Sequence, residues 1–252
     1  LIRGIRKASD FLMALQLTGA FKRDSLTNLQ VRLPAIVIGG GLTGVDTATE
    51  LMAYYPVQVE KTLDRHEKLV AELGEEAVLA RLDAEEKATY ATFLEHGRAV
   101  RAEREAAKVE GRAADFIRLV RAWGGVSLVY RRGLTESPAY RLNHEEVSKA
   151  LEEGIRFIER MSPSEALADD KGAVRAIRFE RMVTKEGKLR GSGEFFELPA
   201  RTVCVAAGTA PNVTYEKEYP GTFALDDNRE YFKSHELVES EAEGGFTLAP
   251  VV

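Results

Sequence analysis

Residues 35–50 read AIVIGGGLTGVDTATE, an apolar β-branched segment followed by three consecutive glycines and a helix-like segment. Gly39, Gly41 and Gly44 fit the pattern G-x-G-x-x-G where a strand passes into a helix. In this pattern the first glycine permits a tight turn, the second lets backbone approach a pyrophosphate, and the third allows close packing of helix on strand. Unpaired amides at the helix N-terminus would face the phosphates. The stretch predicts a dinucleotide-binding turn; the alternative is a glycine loop that only turns the chain.

The composition is that of an ordinary globular protein. Of the 252 residues, 44% are hydrophobic and 30% charged, enough apolar material for one large domain or two small ones. A net charge of −5 gives no general reason to expect nucleic acid or an anionic membrane as a partner. No apolar run approaches the roughly 20 residues of a spanning helix, and a cytoplasmic location is expected. The single cysteine, Cys204, excludes an internal disulfide or a CxxC redox pair, and no metal site is predicted.

Hydrophobic spacing predicts the elements next to the glycine turn. Residues 1–34 form a lead-in that contains a helix at Ala8–Leu17 and an extended segment at Leu26–Leu33. The first strand covers Ala35–Ile38. A helix is expected over Leu42–Tyr55, and Pro56 should end it because proline lacks the helical amide donor.

Residues 57–122 interrupt the expected β-α-β order. The run is rich in Glu, Lys, Arg, Ala and Leu, and its apolar residues recur at helical intervals. It predicts a long inserted helical hairpin with a break near Gly74, and a second break at Gly111 before a helix at Ala113–Trp123. The insertion is either a solvated addition or a docking arm for a partner subunit or a second copy of the chain, as in a homodimer.

The rest of the chain supplies further strands of a Rossmann-like α/β domain. We predict parallel strands at Val126–Tyr130, Ile155–Ile158 and Thr202–Ala207, a helix capped by Asn143 with Glu146 as its capping-box partner, and an antiparallel β-meander over residues 173–198. The predicted fold is a three-layer dinucleotide-binding domain over residues 35–210. Residues 211–252 are expected to form a loosely packed return segment.

The choice of nucleotide depends on which segment is the second strand. Glu60 lies at about the distance from the glycines at which NAD-binding units place an acidic residue. However, residues 57–59 are too short for a buried strand and run directly into the helical insertion. The better strand ends at Tyr130 and is followed by Arg131 and Arg132, whose guanidinium groups suit a 2′-phosphate. The prediction is therefore NADPH rather than NADH; the alternative is that the two arginines are only surface charge.

Three stretches together resemble the NAD(P)H-binding half of glutamate synthase small-subunit-like flavoproteins, within the pyridine nucleotide–disulfide oxidoreductase superfamily. They are IVIGGGLTGVDTATE, VSLVYRRGLTESPAYRLNHEEVSKALEEGIRFIE and VCVAAGTAPN. The resemblance places Gly39, Gly40, Gly41 and Thr43 at the pyrophosphate, with Gly44 at a position where many of these proteins have alanine. It also places Arg131 and Arg132 at the 2′-phosphate, and Ala207–Gly208 at the strand end that closes the cofactor site.

The resemblance implies a flavoprotein in which hydride passes from NADPH to FAD on a second dinucleotide domain, and electrons continue to iron–sulfur clusters or a partner subunit. Only one glycine fingerprint is present and the chain starts at Leu1. We therefore expect a domain of a longer protein, which alone binds NADPH and catalyses little. The rival hypothesis is a non-catalytic interaction module whose helical arm docks a partner.

Two other enzyme classes fit poorly. No tyrosine is followed four residues later by lysine, as a short-chain dehydrogenase needs. The lone Cys204 cannot form a redox dithiol. His66, His96, His144 and His235 show no ligand spacing, and Asp46 is expected to serve the helix dipole rather than acid–base chemistry.

Overall fold

The computed structural model describes residues 2–208, 212–240 and 245–250. The chain divides into two compact units, Leu1–Ala207 and Gly208–Val252. The helices are α1 (Ala8–Leu17), α2 (Leu42–Leu73), α3 (Glu75–Leu79), α4 (Ala84–Glu110), α5 (Phe116–Ala122), α6 (Pro138–Glu152) and α7 (Thr214–Glu218). The strands are β1 (Ile5–Lys7), β2 (Ala35–Ile38), β3 (Val126–Val129), β4 (Arg156–Ile158), β5 (Met161–Ala168), β6 (Val174–Lys185), β7 (Lys188–Pro199), β8 (Thr202–Val205), β9 (His235–Ser240) and β10 (Gly245–Pro250).

The first unit is built on a parallel sheet of order β1-β8-β2-β3-β4. Ala35 pairs with Val126 on one side of β2 and with Thr202 on the other. β3 is thus the neighbour of β2, as expected for the second strand, which the helical insertion separates from β2 in the sequence. The predicted strands are confirmed to within two residues at each end. β1, which pairs with β8, was not predicted, because three residues are too few to show a pattern.

Helices cover one face of this sheet. Apolar side chains of α1, α2, α5 and α6 form one core with β2 and β3, including Phe11, Leu51, Val120, Val147 and Leu128. β5, β6 and β7 form an antiparallel sheet whose Val174, Ile177 and Phe179 pack with Ile36 and Val203 on the opposite face. The predicted three-layer α/β fold with a parallel sheet and a β-meander is confirmed. The meander is longer than predicted, since β5 precedes the predicted hairpin.

The expected end of α2 at Pro56 is wrong. The helix runs for 32 residues with Pro56 buried inside it. Tertiary contacts on both sides of the proline outweigh the lost hydrogen bond, which costs a helix interior about 3 kcal/mol. Tyr54 before it and Val59 after it are both buried in the same core.

The continuation of α2 and the antiparallel α4 form the predicted helical hairpin. At Gly97 an added Cβ would lie 2.5 Å from the carbonyl oxygen of Val59, so only glycine permits this approach of the two backbones. Glu60 of α2 accepts two hydrogen bonds from Arg104 of α4, at 3.0 and 2.8 Å. Gly74 and Gly111 end α2 and α4 respectively, as predicted.

A polar stripe on α2 holds the extended segment that precedes β2. Gln58 exchanges two hydrogen bonds with the backbone of Val31, at 2.6 and 2.8 Å. The buried ammonium of Lys61 donates to the carbonyl oxygens of Ala20 and Thr27. These side chains replace the strand ladder that this segment lacks.

Helix α6 differs in detail from its prediction. It begins at Pro138, and its N-cap Ser137 lies six residues before the predicted N-cap Asn143. Asn143 has non-helical dihedral angles and marks a kink, and its side-chain amide donates to Glu146 at 2.7 Å. Asn143 therefore starts the second part of α6 rather than the whole helix.

The second unit contains α7 and an antiparallel β9–β10 hairpin. Glu216 of α7 accepts hydrogen bonds from the amides of Gly221 and Phe223 at 2.6 and 2.7 Å. The segment thus contains regular secondary structure that the sequence did not predict, and its loose packing stays a prediction. The predicted boundary at 210/211 lies outside the described residues.

None of the helices in the described part of the chain has the length and apolarity needed to cross a bilayer.

Candidate functional site: the glycine turn

Three glycines of the turn are held by tight packing. An added Cβ at Gly39, where φ is +145°, would lie 2.1 Å from the carbonyl oxygen of Ala206 after β8. At Gly40 it would lie 2.5 Å from the Tyr130 ring after β3. At Gly44 it would lie 2.9 Å from the carbonyl oxygen of Gly39. The turn is therefore clamped between the ends of β3 and β8, and Gly44 permits the close helix–strand packing expected of the fingerprint.

Gly41 is different, because an added Cβ would meet no atom within 4 Å. Gly41 is the N-cap of α2, with extended backbone (φ −90°, ψ 171°). Its carbonyl accepts from the amides of Gly44 and Val45. Within the described part of the chain, the amides of Gly41, Leu42 and Thr43 have no hydrogen-bond partner. An open glycine beside three free amides at the N-terminus of a long helix is a backbone cradle for an anion.

The sheet topology places the cradle at a switch point. The chain passes from β2 to β3 and β4 on one side, and later returns to β8 on the other side of β2. Open α/β sheets bind ligands at such a point, beyond the carboxyl ends of the strands. The amide of Ala206 donates to Ile38 at 2.7 Å and the amide of Gly39 donates to Val129 at 3.0 Å, which aligns the three strand ends.

Arg131 and Arg132 follow β3 at this edge and are both exposed. Arg131 makes no hydrogen bond or ion pair with the described residues, whereas Arg132 lies 3.6 Å from Glu136. Arg160, which follows β4, was missed by the sequence analysis. Its amide donates to the carbonyl oxygen of Arg132, and its guanidinium lies 3.7 Å from the same Glu136 carboxylate. The only sequence signal was its position two residues after a predicted strand.

Glu136 lies between the guanidinium groups of Arg132 and Arg160. Its carboxylate accepts from the Gly133 amide at 2.9 Å. This hydrogen bond, followed by the charges of the two arginines, lowers the pKa of Glu136, which is therefore ionised near neutral pH. The carboxylate partly neutralises the charge of Arg132 and Arg160. An incoming phosphate would have to compete with this carboxylate for the two guanidinium groups.

The remaining predicted site residues are Thr43 at the start of α2 and Ala207 and Gly208 after β8. Thr43 is exposed in the first turn of α2, and its carbonyl accepts from Thr47 at 2.6 Å. Ala207 is exposed just beyond β8. Gly208, with φ +108°, is the first residue of the second compact unit and is described with that unit.

Helix α2 also presents carboxylates near its start. Burial raises the pKa of Asp46, and the charge of Glu146 on α6 raises it further. Burial likewise raises the pKa of Glu50, with smaller effects from Asp46 and Glu153.

Glu60 and Cys204, which were not predicted to take part in nucleotide binding or redox chemistry, are both buried. Glu60 is buried in α2 and paired with Arg104, so it does not end a strand. Cys204 is fully buried in β8, and this burial raises the pKa of its thiol to about 11. Across the described ranges, no three His, Cys, Asp or Glu side chains come together in a way that could hold a metal.

Comparison with known proteins finds a curated relative that is itself described as uncharacterized. No protein-family model matches the chain. It is similar to an uncharacterized protein, RP006, of Rickettsia prowazekii (strain Madrid E), with 33% identity over 258 residues that include 98% of this chain. The chain spans about a third (34%) of the length of that relative.

Two solved structures resemble the chain at low identity. One is the thioredoxin reductase of Lactococcus lactis in its FR conformation, with 16% identity and a TM-score of 0.40, covering 91% of this chain and 46% of that one. The other is the bacillithiol disulfide reductase Bdr (YpdA) of Bacillus cereus, with 14% identity and a TM-score of 0.36, covering 83% and 39%.

Proposed function

We propose that this chain is the NADPH-binding domain of a flavin-dependent oxidoreductase. The observation that carries the proposal is the open Gly41 with the free amides of Leu42 and Thr43 at the N-terminus of α2. A dinucleotide pyrophosphate is the anion for which this strand–turn–helix arrangement is best suited. Gly39 and Gly40 hold the turn in place, and Gly44 seats the helix.

The adenosine 2′-phosphate is assigned to the arginines that follow β3. Arg131 is exposed and has no partner in the described part of the chain, and Arg132 has only the 3.6 Å contact with Glu136. Arg160 adds a third guanidinium on the neighbouring strand end. Guanidinium groups bind phosphate by bidentate hydrogen bonds and give ribose hydroxyls no acceptor, so this edge suits NADPH better than NADH.

The catalytic context of the proposal comes from the sequence resemblance. The bound nicotinamide would supply a hydride to FAD on another domain, and the electrons would continue to an iron–sulfur or other acceptor subunit. The part played by this chain is to bind and orient the nucleotide through its glycine turn and arginines. Ala207 and Gly208 would close the site. We also propose a cytoplasmic location. A homodimer formed through the helical hairpin stays a prediction.

The test is calorimetric titration of the whole chain with NADPH and NADH at one ionic strength. We expect NADPH to bind more tightly. The double variant Arg131→Ala/Arg132→Ala should lose about 100-fold in NADPH affinity, since each charged hydrogen bond contributes about 1.5 kcal/mol or more, while NADH binding should hardly change. The matched control is Arg98→Ala/Arg190→Ala, which removes two exposed arginines elsewhere.

The other outcomes are equally clear. Tighter binding of NADH, unaffected by loss of Arg131 and Arg132, would overturn the nucleotide assignment. No binding of either nucleotide would overturn the dinucleotide function altogether and leave the helical arm as the candidate functional element.

A further inference from the structure

A cavity lies at the amino ends of the parallel strands, away from the glycine turn at their carboxyl ends. Its volume is about 130 Å³, room for several water molecules. Arg32 and Arg201 line it where the chain enters β2 and β8, and these strands are neighbours. Helices α2 and α4 contribute Tyr55, Thr89, Phe93 and His96. The cavity therefore lies where the helical hairpin meets the amino end of the sheet.

The outer part of this cavity is cationic. The side chains of Arg32 and Arg201 are 27% and 36% exposed. Arg201 has a close partner, Asp169, at 2.8 Å. The guanidinium of Arg32 makes no hydrogen bond to the described residues, and its one ion pair there, with Glu85, is long at 3.6 Å. Burial and the charge of Arg201 lower the pKa of Arg32, against the opposing charges of Glu85 and Asp169.

The inner part is aromatic and offers hydrogen-bond donors. The Tyr55 hydroxyl lies 2.7 Å from Nδ1 of His96, and the His96 ring stacks on Trp123 with centroids 3.8 Å apart. Burial lowers the pKa of His96 and raises that of Tyr55, so a neutral imidazole accepts from the phenol and carries its proton on Nε2. The Thr89 hydroxyl makes no hydrogen bond to the described residues and keeps some access to solvent.

We propose that this cavity binds a small organic anion, with its carboxylate at the guanidinium of Arg32 and its short apolar part against Tyr55 and Phe93. None of the side chains that line the cavity is acidic, and Arg32 and Thr89 keep side-chain donors that no described residue accepts, whereas the hydroxyls of Tyr55 and Thr92 donate to His96 and to the Ala88 carbonyl oxygen. The cavity lies at the amino ends of β2 and β8, whereas the glycine turn follows the carboxyl end of β2, so the two sites are separate. Because both α4 and the sheet contribute residues, the ligand would bridge the hairpin to the sheet.

The experiment is an NMR titration of the ¹⁵N-labelled chain with sodium butyrate, against sodium chloride at equal ionic strength. Saturable shifts confined to amides around Arg32, Thr89 and His96 are expected. Arg32→Gln should weaken butyrate binding about tenfold or more, since it removes a charge-assisted hydrogen bond. Thr89→Val, of similar shape, should weaken it less, and Arg98→Gln on the exposed face of α4 should have no effect.

Two further probes test the ligand class. 1-Butanol, which has the apolar chain without the charge, and inorganic phosphate, which has the charge without the chain, should both bind at least tenfold more weakly than butyrate. The proposal is overturned if butyrate causes no saturable shift beyond chloride, or if either probe binds as well as butyrate. It is also overturned if Arg32→Gln binds butyrate like the wild type. Should that variant fail to fold, unchanged binding by Thr89→Val has the same meaning.

Discussion

At the scale of single residues, the four glycines of the turn have different physical reasons to be glycine. Gly39, Gly40 and Gly44 are enclosed by backbone or by an aromatic ring, whereas Gly41 faces open space. The motif gave this division of roles in advance for Gly39, Gly41 and Gly44. The motif could not predict why residue 40 is glycine, because the Tyr130 ring that fills the space beside Gly40 lies 90 residues later in the chain.

This difference predicts opposite effects of substitution at Gly39 and Gly41. Gly39→Ala should lower the free energy of unfolding by about 3 kcal/mol or more, because its Cβ would clash with the Ala206 carbonyl at a φ that alanine avoids. Gly41→Asp should leave stability unchanged or raise it by a few tenths of a kcal/mol, since aspartate is a good N-cap. Urea unfolding measures both effects.

The same Gly41→Asp variant should bind NADPH at least tenfold more weakly, because its carboxylate would face the pyrophosphate. Gly41→Ser, also a good N-cap but uncharged, separates repulsion from bulk. Normal NADPH binding by a folded Gly41→Asp protein would show that the nucleotide does not use this turn.

At the scale of elements, α2 shows where local pattern fails. Pro56 is a strong local signal for a helix end, yet the helix continues because its neighbours pack against α4 and the sheet. In contrast, Gly74 and Gly111 end their helices as predicted, since each adopts a positive φ that glycine tolerates. Local rules held where no distant contact opposed them.

The junction between α4 and α5 predicts a pH dependence of stability. Glu103 accepts from Arg112 and from the Asp115 amide, and these contacts lower its pKa to about 2 from an ordinary value of 4.5. A carboxyl whose pKa is lower in the folded state stabilises it above the unfolded value, and this contribution is lost as the pH falls. Glu103→Gln should therefore reduce the Tm by a constant amount above about pH 5.

Between pH 4.5 and about 2, the Tm difference between the wild type and Glu103→Gln should shrink towards zero. Thermal unfolding followed by circular dichroism measures this. Glu95→Gln, an exposed position on the same helix with no ion pair to the described residues, is the matched control. A Tm difference that stays constant down to pH 2 would show that Glu103 is not held by these contacts.

At the scale of the whole molecule, the first compact unit contains the five-stranded and three-stranded sheets and the two hydrophobic cores of the described residues. All buried members of the two cores precede Ala207. A chain of residues 1–207 should therefore fold alone and unfold cooperatively, with a Tm within a few degrees of the full chain. The binding of a hydrophobic dye and near-ultraviolet circular dichroism would detect a loosely packed state instead.

NADPH titration of residues 1–207 tests whether nucleotide binding needs Gly208 and the residues that follow it. If the cradle and the arginines supply the affinity, the shortened chain should bind NADPH within a few-fold of the full chain. A folded 1–207 chain with strongly reduced binding would assign part of the site to the second unit.

The sequence by itself determined the central βαβ unit, because short apolar strands, a glycine turn and a helix are local patterns read from neighbouring residues. It also determined the postponed second strand, since residues 126–129 are apolar enough to be buried on both faces. Only the tertiary structure decided the passage of α2 through Pro56, the third arginine at the sheet edge and the cavity beneath the hairpin. Each of these depends on residues far apart in the chain, whose contacts exist only after the sheet and helices have packed.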